Sequence, residues 1–254
     1  MPVKKLLSKV LPATLLLLFV CLAGLGQSAF NYQTDFKRIL AKTQTPGDSL
    51  NYGQLLKRFT EKDSSLTDYE VLALMIGFTA QPQYKPYQDI DTEQEIYRLN
   101  GEKKYKEALE LANTFLATHP LSIKTLYEKS YAFHMLDKKD SADFYLFQGR
   151  RLIAAMRFSG DGKTADTPMF ALGPADGQDY IHKQLGCQIG TMGSGKDKNG
   201  NFLDILQVKD CGGSSYTLYF IIQHAEEKMF RGKSIEEELE ELKKQDKAKE
   251  TEER

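Results

Sequence analysis

Apolar positions along the first two thirds of the chain recur every three or four residues, the period of an α-helix, whereas further on they alternate or run together as strands do. Phe36, Ile39 and Leu40, then Tyr52, Leu55, Leu56 and Phe59, predict two short helices split by the breaker Thr45-Pro46-Gly47-Asp48. A third opens at Thr67, an N-cap with Glu70 as capping-box partner, and carries Val71, Leu72, Leu74, Met75 and Phe78. Apolar on so much of its circumference, it is expected to be buried. In the segment 81–87, Pro82 and Pro86 disfavour helix and hold Tyr84 and Tyr87 in extended chain. Those tyrosines read either as a rigid aromatic platform for a ligand or as a connector sealing the edge of the helices.

Residues 89–151 read twice through one helix-pair pattern with a period of 34 residues, which aligns Tyr97 with Tyr131, Leu99 with Phe133, Tyr105 with Lys139 and Ala108 with Ala142. The spacing is tetratricopeptide-like and predicts helices over 91–99, 103–117, 121–136 and 139–155. Each alanine falls where two helices of a unit cross and only a small side chain fits. The match is incomplete: Lys139 replaces an aromatic, and Phe115 and Gly149 stand where a late alanine is usual. In such units the first helix of each pair lines the concave face. Tyr97, Lys124, Tyr127, Tyr131 and His134 are therefore the groove candidates. Two units are fewer than a free-standing array needs, and the helices of 50–80 are placed to supply a third.

After Met156 the texture changes. β-type runs at 169–172, 185–192, 202–208 and 216–223, with Gly-, Asp- and Asn-rich turns between the last three, predict a small antiparallel sheet, with a short helix over 176–184. Residues 226–254 are charge-rich, with a thin stripe of Ile235, Leu239 and Leu242, and predict a solvated helical or disordered tail. The expected class is α+β: one composite domain over 27–225, helical from 30 to 158, with a sheet part at 165–225 packed against the helices' end.

The first 26 residues are expected to stand outside that domain. Lys4, Lys5 and Lys9 precede an apolar stretch from Leu11 to Leu25 and the small residues Gly24, Gly26, Ser28 and Ala29, the order of a signal peptide cleaved after Gly26 or Ala29. At about 15 residues the stretch is short of the ~20 that a spanning helix requires, so no membrane span is expected in the mature chain. A lipoprotein acylated at Cys21 is the alternative, with bulky Val20 against it. Export to a periplasm or secretion follows. Removing three lysines and no acids shifts the net charge from −1 to −4. With no clustered basic field, nucleic acid is not the expected partner. In an oxidising compartment Cys187 and Cys211 are either a disulfide or two buried thiols.

Candidate chemistry is sparse. The run Gly190-Thr-Met-Gly-Ser-Gly195-Lys196-Asp197 imitates a phosphate-binding loop, but Asp197 stands where a magnesium-binding hydroxyl is needed, and a strand rather than a helix follows. Asp197, Asn199 and Asn201 imitate the start of a calcium loop, which fails at Phe202 and Val208. His119, His134, His182 and His224 lack metal-ligand spacing. No cofactor is implied. The turn 159–163 offers two readings: a polar cluster of Ser159, Asp161 and Lys163 in a cleft, or a helix terminator in which Gly160 or Gly162 takes positive φ and Asp161 forms an Asx turn.

Leu66-Thr-x-x-Glu70 leading through Leu74 and Gly77 to Gln81-Pro-x-Tyr84-x-Pro86-Tyr87, then His119-Pro120-Leu121, Ser159-Gly-Asp-Gly-Lys163 and a final Tyr219-Phe220, together resemble a family of exported bacterial proteins known only as a domain of unknown function. The resemblance spans roughly residues 50–225 and departs at Met75-Ile76 and Asp179-Tyr180. It implies no activity. It does imply that the tyrosine-proline segment and the 159–163 turn recur as a set. The leading expectation is a non-enzymatic exported binding or scaffolding protein whose helical groove takes a protein or peptide partner. The second is an enzyme or small-ligand protein using Asp161 and Lys163 near Tyr84 and Tyr87, which requires a cleft where the two halves meet. A third is a compact helical core with no ligand. Oligomeric state is not legible in the sequence.

Overall fold

The computed structural model describes residues 30–230. The stretch expected to be a signal peptide, Cys21 and residues 231–254 of the expected charged tail lie outside them. Among the described residues seven helices come first: α1 Tyr32–Gln44, α2 Tyr52–Thr60, α3 Asp68–Phe78, α4 Ile90–Gly101, α5 Tyr105–Thr118, α6 Ile123–Met135 and α7 Lys139–Ser159. α3 is the hub. Its capping box forms as expected, with Thr67 Oγ1 accepting from Glu70 N–H at 3.2 Å and Glu70 Oε2 accepting from Thr67 N–H at 2.7 Å. Every residue from Val71 to Phe78 is buried, because α1, α2 and α7 pack against it from different sides.

The two helix pairs of the tandem follow, with bounds within four residues of the periodicity's expectation. Ala108 and Ala142 are both buried where their helices cross. Ile96, Ala112 and Phe115 form the core between α4 and α5, and Ser130 on α6 donates to the Ala142 carbonyl of α7 at 2.7 Å. α7 outruns its expected end and stops at Ser159. The Ser159 hydroxyl donates to the Met156 carbonyl at 2.6 Å and accepts from Phe170 N–H at 2.7 Å, which seats β1 (Met169–Phe170) against the helix end.

The C-terminal part adds α8 (Pro174–Asp179), a π-helical turn (Tyr180–Leu185) that prolongs it, β2 (Gln188–Lys196), β3 (Phe202–Cys211), β4 (Ser214–Ile221) and α9 (Gln223–Met229). The class is α+β. The sheet order is β1-β4-β3-β2; β2, β3 and β4 are antiparallel, but β1 runs parallel to β4, pairing Met169 with Phe220 and Phe170 with Ile221. The sheet is therefore mixed where an antiparallel one was expected. A connection through α8 and two hairpin strands separates β1 from β4 and lets them align in parallel. β2 begins three residues later than the apolar run suggested, because the π turn occupies its start and Gly186 closes that turn at φ +66°. α9 buries His224, Ala225 and Glu226, so the fold extends into what was expected to be tail.

Cys187 and Cys211 are joined by a disulfide, with Cα atoms 5.4 Å apart, which ties the start of β2 to the end of β3. Among the described residues no helix is long and apolar enough to cross a membrane.

Candidate functional site

The first helices of the two tandem units, α4 and α6, place Tyr97, Tyr127, Tyr131 and His134 around one groove of about 750 Å³, whose far wall is the first turns of α7. These residues fall together because 97 and 131 are equivalent positions of the repeat, and 127, 131 and 134 follow one another at single-turn spacing on α6. Tyr97 and Tyr131 are 57% and 45% exposed. The Tyr105 and Tyr131 rings meet edge to face, 6.2 Å between centroids. Tyr127 lies deeper and packs on Gly149, where a Cβ would stand 2.6 Å from its ring. That contact gives a physical reason for glycine at a position where alanine is usual in such repeats.

The groove's floor was not legible in the repeat. Asn100 ends α4 and donates through Nδ2 to the Glu128 backbone carbonyl and to Glu128 Oε2, both at 2.9 Å. Lys183, from the π turn of the C-terminal part, donates to Glu128 Oε1 at 2.7 Å. Arg98 and Asp143 stand at the rim. Lys124 does not line the groove. It is half-buried, and its charge acts on the buried acids Glu93 and Asp179 instead.

Asp161 and Lys163 line a separate cavity of about 570 Å³ with Tyr180, Tyr216 and Tyr219, whereas Tyr84 lines a pocket of about 50 Å³ elsewhere. The structure does not bring the two segments into one cleft. Asp161 accepts from the Thr167 hydroxyl at 2.6 Å and from Lys163 N–H at 3.1 Å, and these bonds hold its carboxyl below the usual range. Lys163 is largely exposed, 3.9 Å from Asp161. Gly162 takes φ +67°, donates to the Thr167 carbonyl and accepts from Tyr219 N–H, each at 2.8 Å. Gly160 is extended, and a Cβ there would meet the Pro168 carbonyl oxygen at 2.3 Å. The turn thus ends α7 and fastens it to β4. Tyr84 is 2% exposed and donates to the Leu172 carbonyl, and burial drives its hydroxyl far above the usual range. Tyr87 is half-buried, raised to about 12 by burial and by the charges of Asp204 and Glu226.

The small pocket beside Tyr84 holds an acidic cluster that the sequence reading missed. Asp89 and His119 are 3.3 Å apart, Glu93 accepts from the Ser122 hydroxyl at 2.5 Å, and Asp176 accepts from Leu172 N–H at 2.8 Å. Burial, and then the charge of Glu93, raises Asp176 to about 7, and burial also raises Glu93, Asp89 and Asp179. His119 is held on both ring nitrogens, by the Thr118 hydroxyl at 2.8 Å and the Gln83 carbonyl at 2.9 Å, with its ring stacked on Phe115 at 4.4 Å. With both nitrogens engaged, His119 acts as a strut between α5 and the proline segment. Among the described residues no group of three or more His, Cys, Asp or Glu is arranged to hold a metal ion.

A search of the curated proteins and one of the solved structures return no match. The family DUF4919, a domain of unknown function, matches residues 37–231, which takes in all of the fold except the first turn of α1. The chain belongs to the DUF4919 family.

Proposed function

We propose that this protein is an exported, non-enzymatic binding protein that holds an extended segment of a partner polypeptide in the groove between α4, α6 and α7. The observation that carries the reading is the groove itself: about 750 Å³, walled by Tyr97, Tyr127 and Tyr131, two of them well exposed. Tyrosine offers a rigid apolar face and a polar tip with few torsions to freeze, which suits it to contacts made and broken in water. The volume falls within the usual range of ligand sites. The basic and apolar order of the first 26 residues and the Cys187–Cys211 disulfide support export.

The test is site-directed photocross-linking in the native host. A photoreactive residue replacing Tyr97 or Tyr131 is expected to capture a discrete protein that one replacing exposed Lys106, on α5, does not. The Tyr97→Ala, Tyr131→Ala double variant, cross-linked from Arg98, is expected to lose that product. Equal capture from Lys106, or an unchanged product in the double variant, refutes the groove as the binding surface.

A further inference from the structure

We infer that the groove is built to receive a basic side chain, lysine or arginine, of the bound segment; this rests on the reading of the groove as a polypeptide site. The argument is a census of its donors and acceptors. Both hydrogens of Asn100 Nδ2 are taken by Glu128, so Asn100 Oδ1 is left buried with no donor. A buried acceptor without a donor is costly and uncommon in folded proteins, and this one belongs to a residue lining the groove. At the rim, Asp143 is exposed and has no ion-pair partner among the described residues.

The lysine and the arginine that line the groove are committed. Lys183 is held by Glu128 at 2.7 Å, and Arg98 is held by Glu95 and Glu102. The unmet capacity is thus for hydrogen-bond donors and positive charge. The walls agree with this, because tyrosine faces attract a cation through the ring quadrupole. An aliphatic side chain would leave Asn100 Oδ1 and Asp143 as they are, and an acidic one would meet Asp143 with no uncommitted lysine or arginine to offset it. A lysine or arginine side chain supplies a charge opposite Asp143, a surface for the tyrosines and N–H donors for Asn100 Oδ1, which the floor covers and which is reached once the floor opens.

The test is a titration of the full mature chain, uniformly ¹⁵N-labelled, with four blocked tripeptides, acetyl-Gly-X-Gly-amide, where X is lysine, arginine, norleucine or glutamate. Each is taken to about 10 mM, where a site of ~1 mM affinity is mostly filled. The lysine and arginine probes are expected to shift the amides of Asn100, Gly101 and Tyr131, with norleucine and glutamate weaker by about tenfold or more. Asp143→Asn and Tyr131→Ala, both at exposed positions, are each expected to weaken the lysine probe by about two- to fivefold. Asn100→Ala is expected to weaken it further, and because that change also frees Glu128, the two exposed variants carry the test if it does not fold. Norleucine binding as tightly as lysine overturns the preference for a basic side chain and leaves the groove reading standing. Basic probes that bind equally well to both exposed variants overturn the placement. If none of the four probes moves a groove amide, both readings fall.

Discussion

Replacing Asp176 by asparagine is expected to make the protein more stable above neutral pH. The Asp176 carboxyl is buried and raised from 3.8 to about 7, first by burial and then by the charge of Glu93, while hydrogen bonds from Leu172 and Gly173 pull the other way. A carboxyl whose folded pKa lies above its unfolded one holds its proton more tightly when folded. Its contribution is therefore fully present below about pH 3.8 and is lost progressively as pH rises to about 7. At 1.36 kcal/mol per pH unit, the loss amounts to ~4 kcal/mol by about pH 8. Asparagine has the same shape, does not ionise, and still offers an oxygen to Leu172 N–H, which now donates at 2.8 Å. Urea unfolding of both proteins at several pH values measures the effect. The variant is expected to be more stable at about pH 8 by up to ~4 kcal/mol, with the gap closing towards about pH 4. A variant that is no more stable at the higher pH, or a gap that does not shrink in acid, refutes the assignment of an ionisable strain to this position.

Gly160→Ala is expected to lower stability by about 3 kcal/mol, read as a drop in melting temperature, because its Cβ would stand 2.3 Å from the Pro168 carbonyl oxygen and 2.7 Å from that of Thr167, both backbone atoms that cannot swing aside. Reducing the Cys187–Cys211 disulfide, or replacing both cysteines by serine, opens a loop of sequence separation 24 and is expected to cost about 3 kcal/mol, measured by unfolding with and without reductant. Lys183→Met leaves the buried Glu128 carboxylate without its cation and is expected to cost about 3 kcal/mol in the same assay; Glu128→Gln combined with it is expected to recover part of that loss.

How much of this was legible in the chain depended on how far a residue's role is set by its neighbours in sequence. Helical periodicity and the Thr67–Glu70 capping box located α3, since burial on all sides follows from its unbroken apolar run. Repeat position grouped Tyr97, Tyr127, Tyr131 and His134, because residues one helical turn apart share a face whatever packs beyond. The floor of the same groove was hidden: Lys183 follows Glu128 by 55 residues and reaches it from a π turn that has no reliable sequence signature. Glu93 and Asp176 each sit in the first turn of a helix, where acids are favourable in solvent too, so their burial left no mark in the pattern. Lys124 was misplaced for a related reason. Its position on α6 was legible, but the buried acids Glu93 and Asp179 that its charge acts on belong to α4 and α8. The parallel pairing of β1 was equally out of reach, since two residues gain a partner only once β4 has returned beside them.

The Lys183–Glu128 bond also limits how the molecule can be dissected. A fragment ending at Ser159 would retain both tandem helix pairs and all three wall tyrosines, and would look from its sequence like a complete binding unit. It would nonetheless carry a buried carboxylate stripped of its counter-ion, at the point where the bound segment is expected to sit. Selectivity in that fragment would shift towards any cation able to fill the vacancy. The C-terminal part thus acts on the groove directly, through one lysine of the π turn, by setting the charge that a ligand meets at its floor.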